Sequence, residues 1–490
     1  MAPEVTDAAS HSPPVNKKDL GSEKEGTGFL EKAEEGGRAS LRDINASYLS
    51  PAYREYLLQR HGTLDLDPLP SACSADPYNW ADLEVVNLVL VAFHACMSTL
   101  TASIIPAYED ISVDLGVSMQ RASYLTSLQI AVLGGAPLFW KPLSNRYGRR
   151  PIFLLSTILS LFCNVGCAKS PTYASMAACR ALTAFFISPA AAIGSAVVTE
   201  TFFRKERGRY MGIWTLMVTL GVPVGPLIFG FVTNRAGYRW IFYTPPSSNF
   251  KVQYLSFRRI DPTPLGLSEF YHPLTLLLRP TVSIPAFAYA MVFLFGSVLI
   301  TVEVPQLLQE KFNLNAEQLG LQFLGVIIGT ILGEQIGGSM PDIWMNRRAR
   351  KLHMHSSRAE PEFRLWLSYP GVLLTIVGVI IFLVCTQNAP QGHWQVPPIV
   401  GTGVAAFGNQ LVTTVLVTYA VDSYPRDSGS VGVFVTFVRQ VWGFIGPFWF
   451  PNMFSNVGVA ASSGIAGGLM FVFSFLLIIP VHVFGGMWRR

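Results

Sequence analysis

Long apolar runs alternate with short polar stretches along this chain, and the apolar runs dictate its architecture. A helix crosses a bilayer with about 20 apolar residues. Eleven runs reach that length: 85 to 106, 119 to 140, 151 to 169, 173 to 199, 211 to 233, 282 to 305, 318 to 338, 366 to 386, 396 to 420, 430 to 451 and 463 to 486. Residues 1–80 break the pattern, being polar, rich in Ser, Pro, Lys and Glu, and without the short apolar core of a signal peptide; they read as a disordered tail. The pattern predicts an all-α polytopic membrane protein with a tail at 1–80, a first helical bundle at 81–243, a central connection at 244–281 and a second bundle at 282–490.

Composition agrees. Half of the 490 residues are hydrophobic and only 14% are charged, and the mean hydropathy of +0.37 is far from that of an ordinary soluble domain. A net charge of +5 is too small to suggest nucleic acid, and the basic residues gather in short clusters between apolar runs. Cys96, Cys163, Cys167, Cys179 and Cys385 lie inside those runs and only Cys73 lies outside, which indicates neither a disulfide framework nor a zinc site.

The basic clusters set orientation, because loops rich in Lys and Arg stay cytoplasmic. Lys141, Arg146, Arg149 and Arg150 follow the second run, Arg204, Lys205, Arg207 and Arg209 the fourth, and Arg347, Arg348, Arg350 and Lys351 the seventh. The loops "YEDISVDLG" (108–116) and "QNAPQGHW" (387–394) are poorer in positive charge. The amino terminus is therefore expected in the cytoplasm. These assignments collide in the middle of the chain, since something must cross the bilayer between residues 234 and 281 and nothing there is apolar enough. An internal repeat sharpens the conflict. "ERG" at 206–208 precedes Gly225-Pro226 as "DSG" at 427–429 precedes Gly446-Pro447, at a constant offset of 221. That offset projects the last run onto 242–265, where Lys251, Arg258, Arg259 and Asp261 each cost about 2.5 to 3.5 kcal/mol at a helix centre. The simplest reading is a duplicated bundle whose sixth span has been lost between about Tyr243 and Phe250.

Two six-helix copies, with a basic turn between the second and third helices of a copy, resemble the major facilitator superfamily. "WKPLSNRYGRRPIFL" is similar to its signature G-x-L-x-D-R-x-G-R-R, with Asn145 in place of the usual Asp and Lys141 in place of the leading Gly. The resemblance implies a cytoplasmic gating loop made of Asn145, Arg146, Gly148, Arg149 and Arg150, with Asp342 in the matching turn of the second copy. Gly148 permits the tight turn, and the arginines can bond helix carbonyls and acidic partners; anchoring the turn to the cytoplasm would explain the same residues. "GVPVGPLIFG", with Gly221, Gly225, Pro226 and Gly230, resembles the helix motif of proton-coupled antiporters, although small residues four apart also serve simple helix packing. An arginine in the position of Arg180 is linked in this family to proton transfer. "DPYNW", "RAGYRWIFY" and "FWFPNMF" are similar to the fungal branch of twelve-span drug:proton antiporters, a branch that also contains carriers of polyamines.

No metal, nucleotide or catalytic motif is present, so the chemistry is expected in polar residues facing a cavity between the copies, and not in an enzyme active site. Asn87, His94, Gln129, Arg180, Glu303, Glu334, Asn409 and Arg439 are the candidates for a substrate or proton pathway. Glu303 and Glu334 stand first as proton carriers, although both sit toward span ends where interfacial water competes. The expectation is multidrug or metabolite efflux from the plasma membrane by alternating access, with small-molecule substrate, protons and the lipid bilayer as partners, no cofactor beyond the proton gradient, no nucleic acid, and a monomer as the working unit. Proton-driven uptake of organic cations such as polyamines needs the same kind of cavity. A truncated, non-transporting product is the reading of a different class.

Overall fold

The computed structural model describes residues 51–61, 66, 69–70, 77–79, 83–203, 207–243, 266–351, 361–424 and 427–488. By internal contacts the chain divides into Met1–Cys73 and Ser74–Arg490. In the first unit the described part is a helix, Pro51–His61, whose Tyr53 hydroxyl donates to the Pro70 carbonyl.

The second unit is helical throughout its described residues, and eleven of its helices are long and apolar enough to cross a membrane. We label them α1 (Leu88–Leu115), α2 (Met119–Tyr147), α3 (Arg149–Ala168), α4 (Tyr173–Val198), α5 (Tyr210–Ala236), α6 (Pro280–Gln309), α7 (Ala316–Pro341), α8 (Glu362–Asn388), α9 (Pro397–Ser423), α10 (Ser428–Val457) and α11 (Val459–Trp488). Local chemistry fixes their ends. Ser118 caps α2 by accepting from the Arg121 N–H at 3.2 Å, and reciprocal capping boxes start α4 (Thr172 with Ser175) and α7 (Asn315 with Gln318). Gly148, with φ of 89°, is the single residue between α2 and α3, as the tight turn expected there requires.

Several helices run past their apolar runs: α1 takes in Tyr108–Leu115, expected as a loop, α2 continues to Tyr147 and α10 to Val457. The difference at α6 bears on the candidate residues. The apolar run at 282 to 305 stops at Pro305, but α6 continues to Gln309, taking up π-helical turns at Leu294–Leu299 and Pro305–Gln309. A wider turn tolerates the N–H that proline lacks, so Pro305 does not end the helix.

Within the first half α1 packs on α4 and α5, and α4 also covers α2 and α3; within the second, α9 packs on α7 and α8, and α11 on α6 and α8. The halves meet chiefly where α2 packs on α10 and α5 on α7. The helices α6 and α9 are the most enclosed, with 94% and 83% of their apolar windows buried, so they form much of the wall of the interior. By order within the copies, α1 and α3 answer to α6 and α8. Among the described residues they have no neighbour equivalent to α11, and Val89, Leu90, Phe93, Ile158 and Phe162 are exposed.

The flanks of residues 244–265 lie at opposite ends of this unit. On one side Arg239 donates to Asp114 at 2.8 Å and to the Ala168 carbonyl at 2.7 Å, and the Tyr238 hydroxyl donates to Asp114. Burial and the Asp114 carboxylate push the Tyr238 phenol up. On the other side Phe270 packs on Phe139 and His272 lies 3.4 Å from Ser430, beside the basic turn after α2. The expected crossing therefore falls on 244–265, outside the described residues. Both halves point the same way: the ends of α2, α4 and α7, which carry or adjoin the basic clusters, share one end of the unit.

Candidate functional site

A small polar chamber lies between the halves. It measures about 60 Å³ and is lined by Thr99 of α1, Gln129 of α2, Thr219 of α5, Tyr289 and Thr301 of α6, Asn409 of α9 and Arg439 of α10, among others. A second space of about 30 Å³ shares Val218, Thr219, Tyr289 and Arg439 with it and continues toward Trp214 and Thr436. Pockets that hold drug-sized ligands run to about 300–1,000 Å³, so this is a closed conformation that must open to admit cargo. The larger hollow in the molecule, about 930 Å³, is an apolar groove along α7 and α9. Its exposed Ile328, Leu332 and Val400 mark it as outward-facing surface.

Contacts across the halves close the chamber at both ends. At the basic end the Lys141 ammonium of α2 donates to the Ser430 hydroxyl of α10. At the opposite end Gln309 donates to Glu109, Asn234 donates to Glu317 at 3.1 Å, and the Tyr124 and Phe448 rings stack at 4.6 Å.

Glycines let α5 make these contacts with its backbone. A Cβ at Gly230 would lie 2.6 Å from the Ala316 carbonyl oxygen of α7, and one at Gly221 would lie 2.4 Å from the Cys96 carbonyl of α1. Gly225 and Pro226 are buried, and the Pro226 carbonyl faces Gly320 of α7. The motif "GVPVGPLIFG" thus lies along both the α1 and the α7 contacts.

Two carboxylates are buried nearby. Glu334 of α7 accepts hydrogen bonds from Gln410 Nε2 and Thr414 Oγ1, each at 2.7 Å, through Oε2. Its Oε1 has no hydrogen-bond partner and would touch a Cβ at Gly212 of α5, so this acid sits in the crossing between halves. Glu303 of α6 is 1% exposed and neither carboxylate oxygen has a partner. It is not at a watery span end as its place in the sequence suggested, because α6 runs on past it to Gln309.

Arg180 donates to Gln129 Oε1 behind the chamber wall. Gln129, Asn409 and Arg439 line the chamber, Arg180 is joined to it through Gln129, and Glu303 directly follows the lining residues Thr301 and Val302 in α6. His94 is elsewhere: it lies between α1 and α3, 3.4 Å from Thr157 and edge-on to Phe153. The side chains of Asn87 and Asp342 lie outside the described residues.

In the basic turn, Arg149 pairs bidentately with Glu200 at the end of α4, at 2.5 and 3.2 Å, and donates to Ser144 at 2.8 Å. Arg146 is buried, whereas Asn145 and Arg150 are exposed, so the residue in the usual Asp position is not at the centre of the contacts. In the sequence Lys141 stands out as part of the basic cluster and as a departure from the motif, and neither signals that it bridges the halves at the basic end. Tyr289 also goes unsignalled, since it sits in the uniformly apolar "PAFAYAMVF" with no polar neighbour to flag it.

A profile of the Major Facilitator Superfamily matches residues 88–447. Relatives include the MFS transporter cpaT of Aspergillus oryzae, 25% identical over 83% of this chain and 88% of its own length. They also include the probable efflux pump mfs2 of Aspergillus flavus, 25% identical over 78% of this chain and 96% of its own. The efflux pump FUB11 of Gibberella moniliformis is 27% identical over 77% of this chain and 69% of its own. With a duplicated helical architecture, a polar chamber between its halves and a match across most of its length, the chain belongs to the Major Facilitator Superfamily and is a multi-pass membrane transporter, not an enzyme.

Proposed function

We propose that this protein exports small organic molecules in exchange for protons, from the cytoplasm across the plasma membrane, by rocking of its two halves about the shared chamber. The observation that carries this reading is a chamber sealed at both ends by contacts between halves, together with two buried carboxylates, Glu303 without a partner and Glu334 with donors on one oxygen only. A carboxylate away from water needs a proton, a cation or hydrogen-bond donors. Glu303 has neither a paired cation nor a hydrogen-bond donor among the described residues, and Glu334 has donors on one oxygen only. Proton uptake or release at these positions is thus tied to how the halves pack, which is what coupling demands. The efflux pumps among the relatives support the outward direction. The shared direction of the basic clusters supports an amino terminus in the cytoplasm.

The first half also lacks a counterpart of α11 in this reading, which is supported by the exposed apolar face of α1 and α3 and by the charges within 244–265. Translated cDNA containing an additional apolar stretch of about 20 codons after Tyr243 would show that the intact product carries it.

Reconstitution tests the function. In vesicles with the basic end outside and the lumen acid, a fluorescent organic probe should accumulate inside, and collapsing the proton gradient should abolish accumulation. Accumulation that persists without the gradient would refute proton coupling.

A further inference from the structure

The lining of the chamber says which charge its cargo carries. Among the described residues no Asp or Glu lines either space, and Arg439 is the one lining residue with a full charge. It is 8% exposed. Its Nη1 donates to the Tyr289 hydroxyl at 3.0 Å and its guanidinium lies 4.8 Å over the Phe293 ring, but Nε has no partner and no carboxylate pairs with it among the described residues. A guanidinium offers five N–H donors and no acceptor, so most of its capacity is unspent. A buried cation of this kind is costly until an anion or further acceptors reach it.

Arg180 holds the Gln129 amide oxygen, and the Gln129 Nε2 donor is buried without a partner. Elsewhere in the lining the Asn409 Oδ1 and Gln440 Oε1 acceptors are also buried without partners, so the free donors gather at Gln129 and Arg439. The remaining wall includes apolar side chains such as Ile130, Leu133, Val222 and Val298. A donor-bearing cationic corner in a wall of apolar and uncharged polar side chains complements an amphiphilic molecule with one anionic oxygen group, and disfavours an ammonium beside the guanidinium.

We propose that the cargo is an apolar organic acid whose carboxylate, or comparable anionic oxygen, binds Arg439, with Gln129 and Tyr289 completing the corner. This deepens the export reading and rests on it. Organic cations, polyamines included, are disfavoured as cargo.

The test uses the full chain in lipid nanodiscs and three size-matched probes: 2-naphthoate, 2-naphthamide and 2-naphthylmethylammonium. Binding is followed by calorimetry. A charge-assisted bidentate contact should make naphthoate bind about tenfold more tightly than the amide, with the ammonium weakest. Arg439→Gln should bring acid and amide to within about twofold, with amide binding retained as the sign of a folded chamber, and Arg439→Lys should keep part of the preference. Ammonium binding as tight as that of the acid in the unmutated protein would overturn the proposal, with no mutant needed. The same probes in vesicles separate the two claims: selective naphthoate binding without movement supports the anion site and refutes export, whereas gradient-driven movement of the ammonium in preference to the acid refutes the anion site and leaves the carrier standing.

Discussion

The contact between α5 and α7 is the place where one added methyl group should change the working cycle. A Cβ at Gly230 would lie 2.6 Å from the Ala316 carbonyl oxygen and 3.3 Å from the Gly320 Cα. Both are backbone atoms in a helix, so neither can swing away. Reaching an ordinary contact of about 3.4 Å means parting the helices by roughly 0.8 Å, and overpacking of that kind costs about 1–3 kcal/mol. The cost falls only on conformations in which this end is closed, so Gly230→Ala should shift the balance toward opening there by about five- to 150-fold. Ser297, a lining residue that is 9% exposed, is the reporter. With the native cysteines replaced, a cysteine at Ser297 should react faster with a membrane-impermeant thiol reagent applied at that end when Gly230→Ala is present, and export turnover should fall. Gly135→Ala is the control, because nothing lies within 4 Å of its added Cβ. Unchanged labelling in Gly230→Ala, or equal acceleration in Gly135→Ala, would refute the argument.

Other consequences follow from the same contacts. Glu303→Gln keeps the shape of the side chain and removes its charge, so thermal stability should hold while the response of export to the pH gradient is lost; export with full gradient dependence would remove Glu303 from the coupling. Lys141→Ala should cost about 0.5–1.5 kcal/mol of closure at the basic end, seen as faster thiol labelling from that side and little change from the other. A glycosylation tag inserted at Gly392, in the exposed turn after α8, should be modified in cells; an unmodified tag would place that turn in the cytoplasm and reverse the assigned orientation.

Much of this architecture was legible in the sequence because a bilayer imposes length. Each apolar run has its helix, and the turn at Gly148 has the positive φ that its setting required. What escaped depends on which helices meet. Asn145 held the motif position, but the bridge between halves comes from Lys141, whose partner Ser430 is 289 residues away. His94 and Gln129 looked alike as polar residues in apolar runs, yet one packs between α1 and α3 while the other lines the chamber. Glu303 looked interfacial because the apolar run closes two residues after it, and only the π-helical turn at Pro305–Gln309 shows the helix continuing. Tyr289 carried no signal of its own, since a tyrosine in an apolar run has the same pattern whether it faces lipid or an arginine.

The central claim is that two halves open and close around one chamber, and paired distances test it most directly. Spin labels at the exposed Arg150 and Arg347 report the basic end, and labels at Val113 and Val396 report the other. As pH and the naphthoate probe are varied in lipid nanodiscs, one distance should lengthen while the other stays short or contracts. Two distances that never change, or that widen together, would contradict the account.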